Sequence, residues 1–416
     1  VNGRIYPRST AARALPSWRR SVFATLPSTT SAWERGRRRW WSSLTVTRRG
    51  GDISHIPNIW AKENGSIVQN PVRPLGRLDA FYPLDFSIYE EMERILEFRN
   101  GWFDYSLIRG CPYNCAHCQS AYLHALYGRK FRVRYAPIER VVENLEDLLN
   151  AYRNIRYFNF NDDTFNVNKR YLVEFCRAYR ERIYERHKVT FNVLSRVDLF
   201  DEEICRSLKK AGVRIIKFGV ESGSRRVRRR VLNRKITDKA ILEAFRICGR
   251  HGIETWAFNM IGLPTETREE LDQTFRLNAE LKPDNFWLSI FYPIEKTALY
   301  DFCVEKRLID YDVLMRLRNY RTDSPLVSDR FEEGEIALIY RTAAWILNSY
   351  AYPRHRKTFR RLISRAHEMR RRGTPWGEIE QFIDRKNRWV DENLTPPFYS
   401  QRFRHIAIKI TGDKAA

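Results

Sequence analysis

Between residues 102 and 294 the apolar positions follow two alternating rhythms. The runs WFDYSLI, IRYFNFN, VTFNVLS, VRIIKFGV, ETWAFNMIG and FWLSIFYPI are short, rich in aromatic and β-branched residues, and read as strands. Between them lie IERVVENLEDLLNAY, KRYLVEFCRAYRERIY, DEEICRSLKKAG, KAILEAFRICGRHG and REELDQTFRLNAELK, whose apolar residues recur at helical spacing. Six successive strand-helix units predict a parallel sheet wound by right-handed crossovers into an open or closed barrel. Functional side chains are then expected at the C-terminal ends of its strands.

The pattern changes on either side. IPNIWAKENGSIVQNPVRPL reads as two short strands around a turn at Asn64-Gly65, followed by a Pro-punctuated linker through Pro83. After Pro293 the chain turns mainly helical, as in EEGEIALIYRTAAWILNSYAY and WGEIEQFIDRKNRWVDENL. The first 49 residues have neither helical nor strand periodicity. The chain is therefore expected to divide into a disordered or non-native Arg-rich segment (1–49), a lead-in with short strands and linker (50–100), a core barrel (101–300) and a helical C-terminal region (301–416).

Charge adds a possible polyanionic partner. The formal charge is +24 over 416 residues, but residues 1 to 49 contribute eleven Arg against Glu34 alone, and PRHRKTFRRLISRAHEMRRR carries much of the remainder. The central region has an ordinary mixed surface. No run approaches the ~20 consecutive apolar residues of a membrane span, and the N-terminus lacks the apolar core of a secretory signal. A cytoplasmic protein is expected.

Seven cysteines in so long a chain fit a reducing compartment. Cys176, Cys205 and Cys248 lie in helical patterns and, with Cys303, read as buried structural thiols. Cys111, Cys115 and Cys118 stand together in RGCPYNCAHCQSA, directly after the first strand of the core. Three thiolates on one short loop can each hold one iron of a cubane face and leave the fourth iron open. A three-cysteine zinc site with a remote fourth ligand is the alternative.

This spacing, in this place, resembles the radical S-adenosylmethionine (radical SAM) superfamily over about residues 50 to 350. The resemblance implies a partial (β/α)6 TIM-like barrel and a 4Fe-4S cluster on Cys111, Cys115 and Cys118, whose open iron chelates SAM. It also implies SAM contacts at the later strand ends. Asp162 and Asp163 stand where the SAM amino group is bound; the same residues read as a turn in which Asp163 or Thr164 caps a helix. Ser195 and Arg196 stand where the SAM carboxylate or ribose is met, although Arg196 equally reads as the partner of Asp198 or Asp201. Glu221 and Ser222 in GVESGS are further contacts, and an unpaired carboxylate at the end of an apolar strand is informative because its burial is costly. Gly262 in NMIGLPTET begins a turn that cradles adenine, or a plain strand-to-helix turn with Thr265 as N-cap.

The motif order from IPNIW to NMIGLP is similar to the cobalamin-dependent branch, many of whose members are methyltransferases. That branch carries a cobalamin domain ahead of the lead-in, a doubly wound unit of roughly a hundred residues or more. The 49 residues here are not expected to supply it, so cobalamin, expected for the family, is expected to bind this chain poorly or not at all. One permitted set of codons for Trp33 to Arg38, shifted in frame, reads Gly-Glu-Gly-Glu-Ala, typical of the end of such a domain. The expectation is an enzyme that reductively cleaves SAM to a 5'-deoxyadenosyl radical for hydrogen abstraction from a small-molecule or lipid-like substrate. Its electron donor would be a flavodoxin or ferredoxin. An RNA-modifying radical SAM enzyme and a non-catalytic iron-sulfur or basic adaptor protein remain the alternatives.

Overall fold

The computed structural model describes residues 56–63, 66–81, 83–128, 131–317, 322–403 and 406–410. The expectations for residues 1–49 lie outside the described residues. The chain forms two compact units, divided between Gly76 and Arg77. In the first, β1 (Trp60–Glu63) pairs antiparallel with β2 (Ser66–Gln69), Glu63 opposite Ser66, as the Asn-Gly pattern predicts. Asn58 closes this unit: its Oδ1 accepts from the Arg73 amide at 2.9 Å.

In the second unit the six expected strands are present: β3 (Trp102–Tyr105), β6 (Tyr157–Phe160), β7 (Thr190–Ser195), β8 (Val213–Glu221), β9 (Glu254–Ile261) and β10 (Asn285–Ile290). They run parallel in the order β3-β6-β7-β8-β9-β10. Each is followed by chain that returns over one face, largely as the helices Ile138–Ala151, Lys169–Tyr179, Glu202–Lys210, Asp238–Arg250 and Arg268–Leu281. A two-stranded ribbon of β4 (Ile108–Arg109) and β5 (Arg134–Tyr135) brackets the cysteine loop.

Alternation along the strands sorts side chains between two environments. Phe103, Phe158, Phe191, Val193, Ile216 and Phe218 enter a core shared with the covering helices, which also holds Cys176, Cys205 and Cys248. The opposite face is concave. The sheet curves so far that Trp102 of β3 and Trp256 of β9, four strands away, bring their rings within 6.2 Å. Among the described residues β3 and β10 do not pair, so the barrel is open.

The C-terminal region is mainly helical, with Glu335–Arg341, Ala343–Ala351, Arg356–Arg371 and Trp376–Asn393 packed in a second core around Trp345 and Phe359. The chain then returns as β11 (Phe398–Phe403) and β12 (Ile406–Ile410), which add antiparallel to the β10 edge. This addition covers the exposed hydrogen-bonding groups of an edge strand. Two expected caps fall elsewhere. Asn168, not Asp163 or Thr164, caps Lys169–Tyr179, and Thr267, not Thr265, caps Arg268–Leu281 in a capping box with Glu270. Among the described residues no helix is long and apolar enough to cross a membrane.

Candidate active site

The cysteine loop leaves β4 through Gly110, whose φ of +94° suits glycine and whose missing side chain leaves room for Phe131. It ends at Cys118, which caps the helix Gln119–Tyr127: its Sγ accepts from the Ser120 amide at 3.5 Å. Distant segments hold the loop between these points. The Ala116 amide donates to the Leu232 carbonyl and the Leu299 amide to the Ala116 carbonyl, both at 2.9 Å. Asn233 Nδ2 donates to the Asn114 carbonyl at 2.8 Å, and His124 Nε2 lies 2.6 Å from the Cys111 carbonyl oxygen.

Each thiol meets a polar neighbour. Cys111 Sγ is 3.5 Å from Thr164 Oγ1, and Arg234 Nη1 donates to Cys115 Sγ at 3.8 Å. Burial pushes the Cys111 and Cys118 thiols up, and the negative charges of Asp163 and Cys115 add to the rise. Cys111 and Cys118 thus resist ionising unless a cation compensates them, and metal coordination supplies that compensation. Among the described residues no three His, Cys, Asp or Glu are close enough to share one metal ion. A cluster does not require it, since each thiolate holds a different iron. The donor set thus fits an iron-sulfur cluster.

The strand ends bring Asp163, Arg196 and Glu221 to this loop. Asp163 is exposed beside it. Arg196 forms a two-pronged ion pair with Asp198, at 3.0 and 2.9 Å, and its guanidinium stacks 3.5 Å over the ring of Tyr113, inside the cysteine motif. Asp201 instead caps the helix Glu202–Lys210. Glu221 adopts φ +67° and lies 4.0 Å from Arg234 Nη2, on the side chain that reaches Cys115.

The remaining residues have other surroundings. Asp162 is 1% exposed, and its Oδ1 accepts from the Leu107 and Ile108 amides at 2.8 and 2.6 Å, fixing the entry to the loop. Burial raises its pKa to about 7. Ser195 is buried with its hydroxyl unpartnered. Ser222 is fully buried, accepts from the Ser224 amide and faces Thr274 at 3.3 Å. Gly262, at φ +71°, borders a cavity of about 580 Å³ that Lys306, Asp323 and Arg330 also line. Arg234 and Tyr113 were not singled out from the sequence, and Thr164 was read only as a candidate helix cap. Tyr113, between Cys111 and Cys115, was the one with a local signal.

The turn at Gly262 rests on Glu266, whose Oε2 accepts from the Gly262 and Leu263 amides at 2.8 and 3.3 Å. Burial raises its pKa from 4.5 to about 8. The folded chain therefore keeps a proton that the unfolded chain releases above its ordinary pKa, and this contribution is lost as pH rises through about 8. Between about pH 5 and pH 9 the melting temperature should fall more in the natural chain than in Glu266→Gln, which keeps an acceptor and cannot ionise. Equal slopes would contradict this.

Residues 105–277 match the family model described as "Radical SAM superfamily". The chain is 27% identical over 299 residues, 71% of its length, to an uncharacterised methyltransferase, PH0819, of Pyrococcus horikoshii, and spans 62% of that protein. The structure superposes on that of the radical SAM methyltransferase TsrM of Kitasatospora setae, solved with tryptophan and a SAM analogue, with a TM-score of 0.53 at 19% identity, covering 65% of this chain and 53% of that one. It also superposes on the cobalamin-dependent SAM radical enzyme OxsB, solved with aqua-cobalamin, with a TM-score of 0.55 at 15% identity, covering 80% and 55%. The chain thus spans little more than half of either solved structure. Fold, family model and the placement of the three-cysteine loop agree: residues 105–277 match the radical SAM superfamily, and the chain is similar to cobalamin-dependent members of it.

Proposed function

We propose that this chain is an enzyme in which Cys111, Cys115 and Cys118 hold a 4Fe-4S cluster and SAM is cleaved reductively. The observation that carries the proposal is the convergence of three neighbouring thiols, Cys115 buried and Cys111 and Cys118 half-buried, with Asp163, Arg196 and Glu221 at the C-terminal edge of a parallel sheet. When bound, the cluster supplies the electron that splits SAM into methionine and a 5'-deoxyadenosyl radical.

The protein's share is positioning. Thr164, the Ser120 amide and Arg234 surround the three sulfurs with hydrogen-bonding groups, which tune a cluster's potential. Asp163 offers an exposed carboxylate for the SAM ammonium. Arg196 is held flat against Tyr113 by Asp198, so its position is set before any ligand arrives. Glu221 and Gly262, at the ends of β8 and β9, meet the ribose and adenine in this reading. The substrate is a small molecule, and a flavodoxin- or ferredoxin-like donor supplies the electron.

Methyl transfer is the chemistry named for PH0819 and TsrM, and we extend it to this chain as the reaction class. Cobalamin, present in the OxsB structure, is not assigned to the described residues, which contain no doubly wound unit. The RNA-modifying alternative ranks lower because the basic helix Arg356–Arg371 commits Arg365 to Glu368 and Arg370 to Glu332.

The test is anaerobic reconstitution followed by reductant and SAM carrying an isotopic label in its methyl group. Labelled methionine and unlabelled 5'-deoxyadenosine are expected from reductive cleavage. S-adenosylhomocysteine formed without 5'-deoxyadenosine would overturn the proposal.

A further inference from the structure

The concave face of the sheet carries buried polar groups that the SAM chemistry does not use. Alternation that sends Phe158, Val193 and Phe218 into the helix-covered core sends Asn159, Asn192 and Lys217 into the lumen. Asn159 and Asn192 are direct neighbours across β6 and β7. Lys217 of β8 stands opposite Leu194, one pleat along the same face.

Lys217 is 8% exposed. Its Nζ donates to Asn159 Oδ1 at 2.5 Å and lies 5.2 and 5.5 Å from the ring centres of Trp102 and Trp256. An ammonium has three donors, and here one meets an oxygen while the indoles offer only π faces. The nearby carboxylate of Asp104 is already committed: Arg99 pairs with it at 2.5 Å, and Asn159 and Asn161 donate to it at 2.7 and 2.8 Å. Burial lowers the Lys217 pKa to about 8, so the group is still mostly protonated at neutral pH.

Asn192 is fully buried, and neither its Oδ1 nor its Nδ2 has a partner. Leaving both ends of a buried amide unmet is costly and calls for an explanation. A ligand that accepts hydrogen bonds would meet its Nδ2 and the spare donors of Lys217 together. The surrounding walls are flat and apolar. Trp256 stacks on Trp287 at 5.9 Å, and Trp102, Trp256, Trp287 and Phe258 are all half-buried.

We infer that Lys217 and Asn192 anchor the carboxylate of a flat, largely apolar ligand lying among the indole rings of Trp102, Trp256 and Trp287. One ammonium beside one amide matches a monoanion with two acceptor oxygens. A phosphate dianion would call for a second cation or a nest of backbone amides. Trp102 opens β3, and Trp256 and Trp287 stand third in β9 and β10, so this pocket lies in the N-terminal half of the sheet, away from the strand ends that carry Arg196 and Glu221. The assignment goes beyond the proposed function without depending on it.

The probe is 1-naphthoate, with neutral 1-naphthamide as its control, titrated calorimetrically into the full chain and into variants whose folding is checked by thermal melts. Naphthoate should bind the natural chain. Lys217→Met should weaken that binding by about tenfold or more, the worth of a charge-assisted hydrogen bond. Lys217→Arg should restore part of it, Asn192→Ala should weaken it less, and naphthamide should bind poorly throughout. Cys115→Ala should leave naphthoate binding unchanged, which separates the anchor from the cluster: SAM cleavage can fail while the anchor stands, and the reverse. The inference is overturned by equal naphthoate affinity in the natural chain and both the Lys217→Met and Asn192→Ala variants. Equal affinity for acid and amide, absence of naphthoate binding, or its loss in Cys115→Ala would overturn it as well.

Discussion

Replacing Cys111, Cys115 or Cys118 with alanine is expected to abolish both the brown iron-sulfur chromophore and SAM cleavage, while Cys303→Ala retains both. The difference is one of surroundings. The three loop thiols interact with one another and with the polar groups of Thr164, Ser120 and Arg234. Cys303 lies in an apolar cluster with Leu299 and Phe291, where burial alone raises its pKa. A cubane with two thiolates has a second open iron and assembles poorly. Iron and sulfide analysis after anaerobic reconstitution measures this directly. A triple alanine variant still holding about four irons per chain would remove the cysteine assignment.

The largest effect on stability is expected at Gly223→Ala. A Cβ at this position would overlap the carbonyl carbon and oxygen of Gln273 and lie 2.5 Å from Thr274 Cα. The obstruction is helix backbone, which cannot rotate aside, so the turn carrying Glu221 and Ser222 must lift away from Arg268–Leu281. It would lose the Gly223 amide's bond to Thr274 Oγ1 at 2.8 Å. A loss of about 3 kcal/mol or more is expected, the range of overpacking combined with a broken buried bond. Gly249→Ala is the control: it lies inside the helix Asp238–Arg250, a Cβ there meets nothing within 4 Å, and it should be neutral or stabilising. Denaturant midpoints of the two variants decide the matter, and similar values would contradict the packing argument.

How far the fold was legible follows from which signals are local. The run VRIIKFGV announces a strand and KAILEAFRICGRHG a helix because each pattern reports burial on a face fixed by backbone geometry, and both form where expected. The β11–β12 return was not legible, because FYSQRF and IAIKI gain their partner only when the β10 edge is in place. The caps at Asn168 and Thr267 lie two to five residues from the positions that pattern suggested, a local competition among good capping residues that sequence does not rank.

At the site the cysteine spacing was plain, since all three residues share one loop. Arg234 was invisible: it reaches Cys115 across 119 positions and sits in the basic run RRVRRRVLNRK, where nothing distinguishes it from solvated neighbours. Lys217 did leave a trace, as a charge set between the apolar neighbours Ile216 and Phe218 in the middle of β8. Its meaning depends on Trp256, its pairing partner on β9, and on Trp102, which the curvature of the sheet brings to it.

The central claim is that the three thiols hold a cluster with one iron open to SAM. Electron paramagnetic resonance of the anaerobically reconstituted, dithionite-reduced chain, recorded with and without SAM, tests it most directly. The account predicts a reduced-cluster signal whose g-values shift when SAM is added, and no such signal in the triple alanine variant of Cys111, Cys115 and Cys118. A reduced-cluster signal that SAM leaves unchanged, or one that persists in the triple variant, would contradict it.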